Sequence, residues 1–400
     1  MAVRASSRPA HPLFRDEHEQ LREAIAAWAG DRLVPHIEEW ERRAEFPAEV
    51  FTELGELGWL GLQYPEAYGG QGGDFAANLV LCEELSRCGA ESVSTAVAVH
   101  TAMAGPPILR FGTEEQRQRH LPELLAGRRI AAIAISEPGG GSDVAGIRTS
   151  ARRGGGGWVL NGGKTFITNG ARAGLILVIA RTGQRDDGRP LFSLFLVEGD
   201  TPGLTRGPKL EKLGRHASDT CELFFDSVQL PEDALLGEEG RGFHQIMWEL
   251  EAERIMSAAT SVALGRHALD LAVEYVRGRR QFGAPLADKQ AIRHELATRA
   301  ARLAAARDLV HGTAWRFQRD RAGADEISMA KLFAAEALGE VADYALQLHG
   351  GYGYMREYPI GRVWIEARAK RITAGTDEIQ REIIARHLLG PIHVVEGARP

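Results

Sequence analysis

The stretch AISEPGGGSDVAG, residues 134–146, decides how the chain is read. It opens apolar, as a short strand would, then turns through Pro138, Gly139, Gly140 and Gly141 before Ser142 and Asp143. Three successive glycines remove every Cβ, so backbone N–H groups can close on a large flat or phosphorylated ligand, with Ser136 and Ser142 adding hydroxyls. The plain alternative is a flexible β-turn. A Rossmann fingerprint is excluded, because GxGxxG is absent.

Outward from this stretch the composition sets limits. Four hundred residues at 44% hydrophobic can build a large core in two or three structural units. A net charge of −6 argues against nucleic-acid or anionic-membrane binding. The apolar run Leu175 to Ala180 is too short to span a bilayer. No secretory h-region opens the chain, and Cys82, Cys88 and Cys221 lack the spacing of a disulfide frame or a metal site, so a reduced cytoplasm is expected.

Before residue 130 the periodicity is helical: Phe14, Leu21, Ile25 and Trp28 share a face, and Thr113 with Gln116 forms a capping box. From about Ile130 it changes. Trp158 to Leu160, an Asn161-Gly162 turn and Lys164 to Thr168 read as a β-hairpin, with further strands at Leu175–Ala180, Leu191–Val197 and Cys221–Phe225. The glycines and lysine of GWVLNGGKT do not fit a phosphate loop, since the lysine is displaced by one position. After Pro231 long Ala- and Leu-rich helices return, near 241–277, 288–319, 325–349 and 376–389. Helix, sheet, helix in three blocks argues against a doubly wound fold.

Two more stretches stand out. In QLHGGYGYMREYPIGRVWIE, residues 347–366, Gly350, Gly351 and Gly353 end a helix and permit close backbone approach. In ITAGTDEIQREII, residues 372–384, Thr376 looks like an N-cap, and a helix start offers N–H groups to an anionic or carbonyl oxygen. Together with Arg279-Arg280-Gln281-Phe282-Gly283, Lys212-Leu213-Gly214 and Ser218-Asp219-Thr220, these stretches resemble the acyl-CoA dehydrogenase family over nearly the whole chain.

The resemblance implies an α+β multi-domain fold: an N-terminal helical domain (1–129), a middle antiparallel β domain (130–236) and a C-terminal four-helix bundle (237–400). It implies FAD, held between the β domain and the bundle and reaching a neighbouring subunit of a homotetramer. An acyl-CoA thioester is oxidised to its trans-2-enoyl form, with an electron-transfer flavoprotein as acceptor, and neither nucleic acid nor membrane is a partner. The family's flavin contacts fall on Ile135, Ser136 and Ser142, and on Phe166 and Thr168, with Phe166 where Trp is more usual. Arg279, Phe282 and Gln290, with Gln347, Gly350 and Gly351, match positions that hold the adenine-nucleotide half from the partner subunit, and Thr376 and Glu378 match the cap near the pyrophosphate. Substrate-lining positions are Ser142, His244 (where Tyr is common), Glu251, Arg254, Ala374 and Gly375. No metal is implied.

Many members carry their base in Glu-Gly-Thr before the last helix, but here Ala374-Gly375-Thr376 holds a methyl group. The isovaleryl- and long-chain branches use a Glu-Arg pair on the first long bundle helix, matched by Glu253-Arg254. Three glutamates crowd that stretch, Glu249, Glu251 and Glu253; periodicity does not separate them, and the family register favours Glu253 as the α-proton base. Alternatives are a dehydrogenase of carrier-protein-tethered acyl groups and a non-catalytic or DNA-binding flavoprotein of the same fold.

Overall fold

The computed structural model describes residues 11–390. Residues 20–256 form one compact unit, and residues 257–390 together with 11–19 form another.

The first unit begins with helices α1 (Asp16–Arg32), α2 (Ile37–Arg43), α3 (Glu49–Glu56), α4 (Phe75–Arg87), α5 (Glu91–Ala98), α6 (Gly105–Phe111) and α7 (Glu114–Leu125). The capping box expected at Thr113 and Gln116 starts α7, with both reciprocal hydrogen bonds formed. Strands β1 (Ala131–Ala134), β2 (Ser150–Gly154), β3 (Gly157–Thr168), β4 (Leu175–Gln184), β5 (Pro190–Glu198), β6 (Leu204–Arg206), β7 (Thr220–Pro231) and β8 (Leu235–Leu236) then build one eight-stranded sheet. Its ladders are antiparallel except where β4 meets β1 and β2.

β4 explains the apolar run. Leu175, Leu177 and Ile179 pack with Tyr64, Ile108 and Leu124 of the helical layer, while Ile176, Val178 and Ala180 pack with Trp158, Leu223 and Phe225. A strand buried on both faces loses its polar alternation.

The expected Asn161-Gly162 hairpin is corrected. β3 runs straight through both residues, with a register shift against β7 between Leu160 and Gly162. The actual turn joins β2 to β3 at Gly155-Gly156, where φ is +63° and +80°, the pair of positive values a type I′ turn demands. Gly162 is required for a different reason: a Cβ there would lie 2.6 Å from Thr149 Oγ1.

The other unit takes most of the long helix α8 (Gly242–Gly278), with α9 (Gln290–Phe317), α10 (Ala324–His349), α11 (Pro359–Lys370) and α12 (Asp377–Leu389). Its core mixes Leu264, Leu269, Leu338, Val341, Ile360 and Val363 with Ala268, Ala272, Ala342, Ala345 and Ala367, and those small residues let the helices approach closely. Strands β9 (Arg280–Gln281) and β10 (Ala284–Pro285) form a small ribbon between α8 and α9.

His100, in a π-helical turn at Val99–Ala104, joins the helices of the first unit to its sheet. Its Nδ1 accepts the Ala131 N–H at 3.0 Å, which leaves Nε2–H to donate to the Leu124 carbonyl at 2.9 Å. Burial lowers its pKa to about 4, against the carbonyl's opposing pull. The unfolded chain therefore binds the extra proton first, and stability from His100 is complete above about pH 6.5 and is lost as pH falls toward 4, a change of about 3 kcal/mol. His120, buried beside Arg129 and Arg119, is also lowered to about 4. In urea titrations, His100→Asn should flatten the acid dependence between those pH values by about half; an unchanged slope would refute this role.

Candidate active site

In the first unit, two segments of the sequence-predicted site are stitched together. Thr165 N donates to the Ser136 carbonyl at 2.9 Å, and Lys164 Nζ donates to the Ile135 carbonyl at 3.0 Å and to Glu137 Oε1 at 2.9 Å. Glu137 also receives Arg148 N at 2.8 Å and Thr149 N at 2.9 Å, while its backbone exchanges two hydrogen bonds with Gly140. Burial opposes ionisation of Glu137, but the hydrogen bonds from Thr149, Arg148 and Lys164 prevail and hold its pKa low. Burial brings Lys164 down to about 8 despite Glu137. Ile135, Ser136, Phe166 and Thr168 all belong to these joined segments, and Ser142 lies exposed at the end of the glycine turn.

The glycines of that turn have no internal explanation. A Cβ at Gly139 would meet nothing within 4 Å, and at Gly140 and Gly141 only ordinary contacts, and none of the three has a positive φ. Neither packing nor backbone conformation requires glycine there, so the open backbone suits a group approaching from outside.

The two large aromatic residues among the non-glycine positions of positive φ are both on the predicted cofactor set. Phe166 has φ +60° and is 70% exposed, at the shift in the β3–β7 register between Lys164 and Ile167. Phe282 has φ +52° and is 94% exposed, at the tip of the β9–β10 ribbon. A bulky residue held left-handed and displayed to the outside is strained without a packing return, a signature of a binding position.

The start of α8 completes this unit's share. A Cβ on Gly242 would strike the Ser193 backbone, and Gln245 Nε2 donates to the Leu236 carbonyl at 3.0 Å, so the helix start is seated on β5 and β8. Beyond it, Glu249 is fully buried, Arg254 nearly so, Glu251 and Glu253 are half-buried, and His244 is exposed. Burial, then repulsion from Glu253, raises Glu249 well above the usual carboxylate range, with Arg254 opposing. Burial also raises Glu251, against Arg254 and His244, and lowers Arg254, against Glu253, Glu251 and Glu249. Neither carboxyl oxygen of Glu249, nor Nε of Arg254, has a hydrogen-bond partner.

In the other unit, Arg279 lies over the Tyr352 ring at 5.6 Å, next to Gly350 and Gly351, where a Cβ would meet nothing within 4 Å. Gln290 opens α9, and Gln347 is exposed on the last turn of α10. The loop before α12 is braced from below: Lys331 Nζ donates to the Gly375 carbonyl at 2.7 Å, and Gln380 Nε2 donates to the Ala374 and Gly375 carbonyls, each at 3.0 Å. Thr376 caps α12 as expected, accepting from Ile379 N, and Glu378 is exposed in its first turn.

The matches to known proteins follow the same order along the chain. The sequence patterns described as "Acyl-CoA dehydrogenase, N-terminal domain", "middle domain" and "C-terminal domain" match residues 15–128, 132–228 and 240–389. The chain belongs to the acyl-CoA dehydrogenase family. It is 40% identical to the mitochondrial long-chain specific acyl-CoA dehydrogenase of Mus musculus, over 94% of this chain and 87% of that one. The crystal structure of acyl-CoA dehydrogenase from Geobacillus kaustophilus superposes with a TM-score of 0.91 at 40% identity, covering 95% of this chain and all of that one. A glutaryl-CoA dehydrogenase from Mycobacterium smegmatis in complex with FADH2 gives a TM-score of 0.89 at 31% identity, covering 95% and 96%. The chain is thus an FAD-dependent oxidoreductase of acyl-CoA substrates.

Sequence reading assigned no role to three of the residues described above. Lys164 and Glu137 were visible as a charge inside a strand and an acid inside the glycine stretch, 27 residues apart, and only the folded sheet pairs them. Glu249 was visible among the three glutamates, but its burial was not.

Ala374 has φ +56°, a left-handed conformation that costs an L-residue about 1 kcal/mol or more. Ala374→Gly should therefore raise stability by up to about 1 kcal/mol, read as a higher urea midpoint; a lower midpoint would show that the loop tolerates alanine without strain.

Proposed function

We propose that Glu253 is the base that removes the α-proton of the acyl thioester, the β-hydrogen leaving as hydride so that the product is the trans-2-enoyl thioester. The observation that carries this reading is the pair of replacements. The loop before α12 offers only the methyl of Ala374, while α8 offers a half-buried carboxylate beside Arg254. Bound FAD supplies the two-electron acceptor for the hydride, which no side chain of this protein can be.

The chain's own residues supply the rest. Ile135, Ser136, Ser142, Phe166 and Thr168 bind and orient the flavin from the sheet side of the first unit. By the family likeness, Arg279, Phe282, Gln290, Gln347, Gly350 and Gly351 hold the adenine-nucleotide half of the cofactor of a neighbouring subunit, and Thr376 and Glu378 form the cap near the pyrophosphate. An α-C–H is a weak acid, so the thioester carbonyl must be polarised and water kept away while the base works. Ser142, His244, Glu251, Arg254, Ala374 and Gly375 line the thioester. Arg254 favours the ionised form of the carboxylates near it, as its attraction to Glu253 and Glu251 indicates. Burial and repulsion from Glu253 raise Glu249 well above the usual carboxylate range and favour its neutral form, which makes it the poorer base.

The electron acceptor on this reading is an electron-transfer flavoprotein, and the working assembly is a homotetramer. Among the described residues no helix is long and apolar enough to cross a membrane.

Anaerobic bleaching of the flavin by a panel of straight, branched and aromatic acyl-CoAs tests the reaction. In Glu253→Gln the rate of bleaching should fall by about 10²–10⁴-fold, the usual share of a positioned base, with FAD content unchanged. Glu249→Gln, which copies the neutral form that burial favours, should lose less than about tenfold, below a general base's usual share. Normal bleaching in Glu253→Gln would remove the base assignment.

A further inference from the structure

The buried lysine of β3 has no part in the reaction described so far, yet it bonds to the segment that carries Ile135, Ser136 and the glycine turn. Its ammonium is fully buried and reaches across to the Ile135 carbonyl and to Glu137. Between them, these groups and their neighbours tie the strand that carries Phe166 to the glycine turn. Ile135 and Ser136 leave β1; Glu137 closes the glycine turn through its paired backbone bonds with Gly140; Thr165 ties β3 to the Ser136 carbonyl. Two residues after Lys164 comes Phe166, whose left-handed backbone sits in the register shift that ends at Ile167.

A bulge re-aims a side chain only if something fixes the strand on either side of it. On the far side the ladder with β7 resumes at Ile167 and Thr168. On the near side the ladder stops at Lys164, and what anchors the strand there is the ammonium and the Thr165–Ser136 hydrogen bond. We infer that Lys164 is a positioning residue for the flavin: clasped to Ile135 and Glu137, it fixes the glycine turn and the Phe166 bulge in the single arrangement that receives FAD. Glu137 is the other half of the clasp, since its second oxygen holds the Arg148 N–H and so the chain that returns from the turn.

The consequence differs from that of a merely stabilising pair. Lysine's reach and charge are spent on backbone groups of the cradle, so its loss should loosen the flavin before it melts the unit. The half-buried Arg22 pairs with Glu83 and Glu84 among the helices of the same unit and provides the control.

The test uses the full chain. FAD is removed and added back, and two quantities are read for each variant: the dissociation constant of FAD by quenching of its fluorescence, and the fine structure of the bound flavin's visible absorption band. In Lys164→Met the FAD dissociation constant should rise at least tenfold and the fine structure should fade. Glu137→Gln, which keeps the shape and loses the charge, should raise it by a smaller factor, and it stands in if Lys164→Met does not fold. Arg22→Met should lower the melting temperature while leaving both flavin readings as in the parent protein. The inference fails if a folded Lys164→Met or Glu137→Gln holds FAD as the parent does. It fails equally if Arg22→Met weakens FAD as much as they do, because the effect would then be general softening.

Discussion

A single buried ammonium, that of Lys164, sets the shape of the sheet side of the site. Taking a lysine head group out of water costs several kcal/mol, and removing one partner of such a buried pair typically costs about 3–5 kcal/mol. A chain of this composition could have placed an apolar residue at that point of β3, and Leu160 and Ile167 on the same strand show that the core accepts them. The cost is recovered only because Glu137 meets the charge with a carboxylate whose two oxygens each already accept one backbone N–H, from Thr149 and from Arg148, so that neither member of the pair is left unsatisfied. The geometry of the glycine turn, the path back through Arg148 and Thr149 and the displacement of Phe166 then follow from one contact.

Strain elsewhere follows the same logic. Phe166 and Phe282 both hold left-handed backbone and both display an aromatic face outward. In the first case the clasp over-determines the backbone; in the second a ribbon of two residues per strand does so through the Phe282-Gly283 turn, where Gly283 has φ +80°. Ala374 is a third case, braced by Lys331 and Gln380 rather than by a sheet. In each, the hydrogen bonds that enforce the conformation come from residues with no reactive role, a division between holding groups and presenting groups.

How much of this could be read in the chain depends on the range of the signal. The three blocks of helix, sheet and helix were legible because periodicity is local, and so were the capping box at Thr113 and the cap at Thr376, whose partners lie three residues away. The Asn161-Gly162 pair misled because the same dipeptide that favours a type I′ turn also permits a bulge with a close backbone approach, and Thr149, the neighbour that decides between them, is twelve residues away. Gly155-Gly156, the true turn, lay in a run of four glycines that offered no unique register. The motif residues were legible through family likeness. Lys164 with Glu137 was not, because an inward-facing charge declares only that it needs a partner and says nothing of which.

The glutamates of α8 carry the remaining argument. Three acids and one arginine within six residues, all at least half-buried, put more negative than positive charge into a poor dielectric. Burial resolves the excess unevenly. Glu249, fully enclosed and with no hydrogen bond to its carboxyl, is driven furthest toward the neutral form, and Glu251 is driven the same way. Arg254 is attracted to all three, to Glu253 most, which is the acid at the position the family register marks. Repulsion from Glu253, one turn away, adds to burial in raising Glu249, while Arg254 opposes both. On the proposal that Glu253 is the base, the crowding that obscures it in the sequence is also what sets the three acids apart, since burial acts hardest on Glu249 and leaves Glu253 the strongest attraction to Arg254.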